Sequence, residues 1–295
     1  MRVVELSKSC FTATELRGCK PGFIITSEGI VLIDCPVDLE SCEWWAKEIA
    51  KHGKPIYLIT TEFHPDHNLH NKFFKVPVIS SEITRELMLQ RNTEPQLMWR
   101  RDNLYTHPLP IPTIEEYRKG LASITFTDRM ELHLGSHTVH MILLPGHSPG
   151  QTTIYVPEEK VAYCSDNVSA SGSIEISRGM PYQWLESLDV LKTLDIDAIA
   201  CGHGPAITEN IQECLDQMAK NLHFMIDEVK KAKTDELSID EAIDHLSKVF
   251  PDHPTPAYED YNPMMGKQPG HVFGFRGAAV RHLWEVVDLY QGYKR

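Results

Sequence analysis

The chain has 295 residues, 42% of them hydrophobic and 24% charged, with a formal net charge of -12. That length supports one large domain or two small ones around a sizeable core. The acidic balance argues against non-specific nucleic-acid binding, which needs a basic face, and against an anionic membrane surface.

The opening stretch, MRVVELSKSC, lacks the charged and apolar blocks of a secretory signal. No window approaches the roughly 18–20 apolar residues of a membrane span. Seven scattered cysteines form no C-x-x-C pair. That is the pattern of buried, reduced thiols in a cytoplasmic protein rather than of a disulfide framework.

In chain order, FIITSEGIVLID reads as a hairpin turning around Ser27, Glu28 and Gly29. Leu39, Cys42, Ala46 and Ile49 fall at helical spacing, and Gly53 follows as a stop. Residues 56–59 form a short apolar run, read as a buried strand. KVPVIS reads as another, with Ser80 or Ser81 placed to cap the next helix. Residues 92–123, rich in proline near HPLPIP, read as a long, partly helical excursion over a pocket.

From Ile124 the pattern returns to short β runs. MELHLGSHTVHMILL alternates and turns at Gly135 and Ser136; PEEK is a turn, and VAYCSD a strand ending on Asp166. A helix then carries Trp184, Leu188 and Leu191 on one face, and IDAIACGHG reads as a strand ending at His203. Beyond residue 207, Ile211, Leu215, Met218, Leu222, Met225 and Val229 mark a long amphipathic helix, its stripe read as core packing. Ser238–Glu241 fits a capping box, a Pro-rich loop spans 251–263, and a last helix is expected over about 277–289. The expected organisation is a domain over 1–207 with a helical extension, 208–295, belonging to it.

The chemistry concentrates in ITTEFHPDHNLHN, residues 59–71. Glu62, His64, Asp66 and His67 crowd the end of the 56–59 strand, with Pro65 stiffening the bend. His147 in PGHSPG, Asp166 and His203 in CGHG lie at further strand ends, each beside Gly, Pro or Ser. A lone histidine is usually a surface or core residue. His133 and His137, for example, share a hairpin on which nothing else converges. The joint arrangement of seven residues at strand ends points instead to metal. Imidazole and carboxylate ligands with open positions suit a catalytic rather than a closed structural site. Cys164 and Cys201, two residues before Asp166 and His203, are expected to be core residues on the same strand faces as those ligands.

The order E-x-H-x-D-H, PGHSPG, CSD, CGHG resembles the metallo-β-lactamase superfamily, whose motif is H-x-H-x-D-H followed by G-H, a strand-end Asp and a final His. GIVLID resembles that family's early strand, with Asp34 buried, so the resemblance runs from about residue 20 to 205. It implies two mixed β-sheets packed face to face with helices outside. One metal would take Glu62, His64 and His147, a second Asp66, His67 and His203, and Asp166 would bridge them. A water or hydroxide between the metals would be the nucleophile, and Asp66 would assist proton handling.

Glu62 departs from the motif's first histidine. Two divalent ions bring +4 and Glu62, Asp66 and Asp166 bring -3, leaving +1 where the usual set leaves +2. The ions are expected to be zinc, with Mn or Fe admitted by the extra oxygen ligand. Three outcomes stand open: Glu62 is a ligand of a two-metal site, it turns away and leaves one metal, or the site is inactive.

The leading function is hydrolysis of a small-molecule ester, thioester, lactone or amide. The alternatives are an iron-dependent oxidoreductase, although the glutamate-bearing types in the superfamily place the Glu at the second histidine's position, where this chain keeps His64, and a non-catalytic metal-binding protein. Trp99, Tyr105, Tyr258, His271 and Arg276 are candidate pocket residues, with ordinary packing or surface exposure the favoured reading of each. The other reading of the 211–229 helix is packing against a partner chain, which makes a homodimer plausible.

Overall fold

Alternation along the strands decides the architecture. The computed structural model of the chain describes residues 1–103, 110–249 and 269–289. In β4 (Gly29–Ile33), Ile30 and Leu32 face one core cluster while Val31 and Ile33 face another. A strand that is apolar on both faces needs a layer on each side.

The same split recurs in the second half. Val161 and Tyr163 of β11 (Val161–Ser165) and Ala198 and Ala200 of β12 (Ala198–Cys201) join Val31 and Ile33, while Ala162, Cys164, Ile199 and Cys201 face a helical layer. The layers therefore run helix, sheet, sheet, helix, which is the expected arrangement of two face-to-face mixed sheets with helices outside.

The first sheet is ordered β1 to β7. β1 (Arg2–Glu5), β2 (Cys10–Thr14), β3 (Gly22–Thr26) and β4 are antiparallel. β5 (Pro55–Ile59), β6 (Val78–Ser81) and β7 (Ile124–Phe126) then add in parallel. The second sheet runs β12-β11-β10-β9-β8, with β8 (Arg129–Leu134), β9 (His137–Leu143) and β10 (Thr152–Val156) antiparallel and the β11–β12 pair parallel. The parallel pairs β4–β5 and β11–β12 matter most for function, because parallel neighbours end at the same edge.

α1 (Leu39–Ala50) covers the outer face of the first sheet through Trp45 and Ile49, and Asp38 caps it by accepting from Ser41 N at 2.8 Å. α2 (Pro65–Asn68) is one helical turn with Pro65 at its start, where the expected bent loop lies. Ser81 caps α3 (Glu82–Arg91), and α4 (Glu94–Asn103) and α5 (Ile114–Arg118) make the excursion part helical, as expected.

Over the second sheet lie α6 (Pro181–Lys192), α7 (Ile211–Thr234), α8 (Ile239–Val249) and α9 (Pro269–Val286). The α7 stripe is core packing, and the Ser238–Glu241 capping box forms in both directions, at 2.9 and 3.3 Å. α9 begins before the expected 277. The 251–263 loop lies outside the described residues, as do the side chains of Trp99, Tyr105, Tyr258, His271 and Arg276.

One tyrosine ties the sheets together. Tyr163 of β11 crosses the inter-sheet core and donates its hydroxyl towards the carbonyls of Phe11 and Phe23, each at 3.1 Å. The ring lies where a side chain on Gly22 would be, since a Cβ there would fall 2.3 Å from it. Tyr163→Phe keeps the packing and removes the bond. It is expected to cost about 1 kcal/mol, read as a lower urea midpoint at unchanged slope.

Candidate metal centre

β4, β5, β11 and β12 deliver their C-terminal ends to one edge of the sandwich. Asp34 follows β4, Glu62 follows β5, Asp166 follows β11 and His203 follows β12. β10 runs antiparallel to β11, so the loop entering it brings His147 to the same edge. Two non-glycine residues there take left-handed backbone, Asp34 at φ 55° and Ser165 at φ 49°. Such conformations are costly and persist where the surroundings over-determine them.

The turn at Ser165 ends β11 one residue before Asp166, so strand alternation does not carry through to that ligand. Likewise β12 ends at Cys201, and His203 stands beyond it on a Gly202–Gly204 turn rather than within the strand. The sequence-based expectation that both strands run up to their ligands is corrected in this respect. Cys164 and Cys201 are fully or nearly fully buried core residues against the helices.

All seven expected residues come together, in two sets. In the first, His64 Nδ1 lies 2.9 Å from Glu62 Oε2 and 3.1 Å from His147 Nε2. In the second, Asp66 Oδ2 lies 3.2 Å from His203 Nε2 and 3.8 Å from His67 Nε2. Asp166 touches both: Oδ1 is 3.3 Å from His67 Nε2, and Oδ2 is 3.5 Å from His147 Nε2 and 3.4 Å from His203 Nε2. Glu62 is fully buried and turned into the cluster, so it does not turn away.

These spacings suit a cation. Donor atoms held 2.0–2.2 Å from a tetrahedral ion stand about 3.4 Å from one another. Three buried donor atoms have no hydrogen-bond partner, Glu62 Oε2, His67 Nε2 and Asp166 Oδ1. Leaving a buried polar atom unpaired costs about 1–3 kcal/mol, and more when it is charged. Divalent ions held by the two sets would satisfy them.

The protonation pattern says the same. Burial disfavours the charged form of His203, but Asp166 and Asp66 push it up to about 9. Burial likewise opposes charge on His67 and His147, and Asp166 foremost among their neighbours raises both above the ordinary imidazole value. Burial would raise the Asp166 carboxyl, but His203 and His67 hold it well below the usual carboxylate range. Without metal, protons occupy the place of positive charge. Metal must displace them, so loading at pH 7.5 is expected to release about one proton or more per chain. The check is the dependence of calorimetric binding heat on the ionisation enthalpy of the buffer; no dependence would refute the expectation. Because metal and proton compete, affinity falls as pH drops.

Supporting contacts aim the ligands. Asp34 accepts from Thr61 N at 2.8 Å and from the Thr61 hydroxyl at 2.6 Å, and its Oδ2 takes His67 Nδ1 at 2.8 Å. That leaves His67 Nε2 facing the cluster. His147 is held in the same way, with Nδ1 3.0 Å from the Glu175 carbonyl and 3.5 Å from its carboxylate.

The backbone of residues 62–64 is also pinned. Asn68 donates to the carbonyls of Glu62 (3.1 Å) and His64 (2.7 Å), Asn92 donates to that of Phe63 (2.7 Å), and Tyr117 joins the two amides. Sequence reasoning saw Asp34 but missed Glu175, Asn92 and Tyr117. Glu175 and Asn92 lie outside regular elements and Tyr117 on the short helix α5, all without a local signal of this role, although the 92–123 excursion that carries the last two was visible.

Comparison with known proteins agrees with this geometry. Residues 18–203 match the model of a family described as the metallo-beta-lactamase superfamily. Curated relatives include hydroxyacylglutathione hydrolases from Bartonella quintana, 28% identical over 40% of this chain and 47% of that protein, and from Mesorhizobium japonicum, 28% identical over 50% of this chain and 48% of that protein. The chain thus spans about half or less of the length of these curated relatives.

Among solved structures, a metallo-beta-lactamase from Pontibacter korlensis has a TM-score of 0.59 at 18% identity, covering 75% of this chain and 98% of that one. A stereoselective inverting sec-alkylsulfatase from Pseudomonas sp. has a TM-score of 0.71 at 14% identity, covering 99% of this chain and 50% of that one. At such identities these two likenesses show the fold alone.

Proposed function

Because the chain belongs to the metallo-beta-lactamase superfamily, we propose that it is a metal-dependent hydrolase of a small-molecule ester, thioester, lactone or amide. The observation that carries this reading is the convergence of seven donor side chains, three with buried, unpartnered donor atoms, at one sheet edge. The relatives named for hydrolysing hydroxyacylglutathione fit the thioester part of that range.

Glu62, His64 and His147 would hold one divalent ion, Asp66, His67 and His203 a second, and Asp166 both, with zinc the first expectation. Bound there, the pair would polarise a substrate carbonyl and lower the pKa of a shared water. The chain's own residues do the rest. Asp34 and Glu175 orient His67 and His147 so that their Nε2 lone pairs face inward. Asp66 lies 16% exposed at the cluster's mouth. Burial alone would raise its carboxyl, but His67 and His203 hold it well below its ordinary value. It is therefore held ionised, a second-set carboxylate that would assist proton handling as the leaving group departs.

The reading extends to a reducing compartment such as the cytoplasm, supported by seven cysteines without a disulfide. Among the described residues no helix is long and apolar enough to cross a membrane.

The test is metal analysis of the purified protein followed by a panel of esters, thioesters, lactones and amides. Hydrolysis that is lost with a chelator, and lowered about 10²–10⁴-fold in kcat by Asp66→Asn, supports the proposal. A metal-loaded protein inert across the panel overturns it, as does an iron-rich protein that consumes oxygen instead.

A further inference from the structure

Glu62 does more in the structure than fill a histidine's place. Its Oε2 is buried and lies 2.9 Å from His64 Nδ1, in the set that also contains His147. Its Oε1 lies 3.6 Å from His67 Nε2, in a second grouping with Asp166. The two oxygens of one fully buried carboxylate therefore address different halves of the centre. The amide N–H of His64 donates to Oε1 at 3.0 Å, which restrains rotation of the carboxylate and keeps its oxygens on their separate sides. Asp166 divides its oxygens similarly, Oδ1 to His67 and Oδ2 to His147 and His203.

We infer that Glu62 is a second carboxylate bridge between the two metal positions and that this extra oxygen ligand raises the centre's affinity for harder divalent ions, Mn²⁺ or Fe²⁺, relative to that of a centre with a histidine there. The inference rests on the ligand set proposed above. A histidine cannot do this work, because its two ring nitrogens point in opposite directions and only one can face the cluster. A carboxylate offers both oxygens on one side, a span suited to ions roughly 3.5–4 Å apart.

With Glu62 and Asp166 both bridging, each ion keeps two imidazoles and gains oxygen ligands. Oxygen-rich sets suit Mn²⁺ and Fe²⁺ more than nitrogen-rich ones do, and paired carboxylates from facing elements characterise di-iron and di-manganese centres. Three carboxylates also balance most of the +4 carried by two ions, which weakens the Lewis acidity that a zinc hydrolase would draw on.

The experiment begins with metal-depleted full-length protein crystallised with Mn²⁺ alone, the ions being located by anomalous scattering. Two peaks, with one Glu62 oxygen in bonding contact with each, support the inference. Two peaks with Glu62 bound to one ion or to neither overturn it and leave the proposed ligand set standing. Fewer than two peaks overturn both.

In solution, Glu62→His restores a nitrogen ligand but removes the bridge. It is expected to weaken Mn²⁺ binding about 10–100-fold, by analogy with the loss of a supporting residue, and to change Zn²⁺ binding by much less. Equal losses for both ions, or none for Mn²⁺, would also overturn the inference. Unchanged circular dichroism of the variant shows that it folds.

Discussion

Asp166→Asn is expected to leave the chain folded while lowering its metal content below that of the parent. Activity should fall by more than the 10–100-fold that losing a merely supporting residue costs. The side chain meets both sets at once, within 3.3–3.5 Å of His67, His147 and His203. Asparagine keeps the size but removes the charge, and one position that accepted now carries N–H donors. Those donors face imidazole nitrogens that cannot then share a cation with it. The carboxylate is also the foremost of the charges that raise His67, His147 and His203. The metal-free variant should therefore hold fewer protons at pH 8 than the metal-free parent. Metal analysis and circular dichroism check the first expectation; two tightly held ions in a folded variant would contradict the bridging assignment.

Gly202→Ala should be nearly as severe, for a steric reason. A Cβ on Gly202 would fall 1.9 Å from Asp166 Oδ1, 2.8 Å from the Ser165 carbonyl carbon and 2.9 Å from the Asp166 nitrogen. None of these atoms can easily yield. Ser165 is already held at φ 49°, and Gly202 N bonds to the Ser165 carbonyl at 2.8 Å. Overpacking of this kind costs about 1–3 kcal/mol, and here the displaced atom is a proposed metal ligand. The expectation is a lower melting temperature together with loss of metal.

Gly204 is the control. A Cβ there meets nothing within 4 Å, but the residue sits at φ +82°. Gly204→Ala should cost about 1–2 kcal/mol of backbone strain while metal content stays as in the parent. If the two alanine variants bind metal equally, the close approach of Gly202 to Asp166 does not matter to the centre.

Most elements with a long local pattern were legible in the chain. The 23–34 hairpin, α1, the β8–β9 hairpin, α6 and α7 each carry an alternation of two or a stripe at three and four residues, and each forms where expected. β1 and β2 carry no such signal. RVVE and CFTAT are four and five residues long, too short for a period to declare itself. They become strands because β3 offers an edge, with Cys10 opposite Ile24 and Arg2 opposite Thr14. The α9 start was misplaced for a related reason, since PGHVFG opens with residues that discourage helix and only the context beyond them extends it.

Asp34 shows where reading stopped. Its burial was foreseen, but its purpose, taking the far nitrogen of His67 while anchoring Thr61, depends on β4 and β5 lying side by side. Glu175 gave no warning at all. Nothing in SIEIS marks a residue whose carbonyl and carboxylate both approach a histidine 28 positions away.

Residue types and their order alone determined that this chain carries a metal-type donor set at strand ends, and that one donor is a glutamate. Local periodicity is written in neighbouring residues, so strands and helices could be read without knowing the fold. Which donor atoms stand within reach of one another, which oxygen of Glu62 faces which half, and why position 202 admits no side chain were decided only by tertiary structure. Those facts are contacts between segments up to 140 or so residues apart, brought together when parallel neighbours end at one edge and two sheets close face to face. Such contacts leave no period in the sequence.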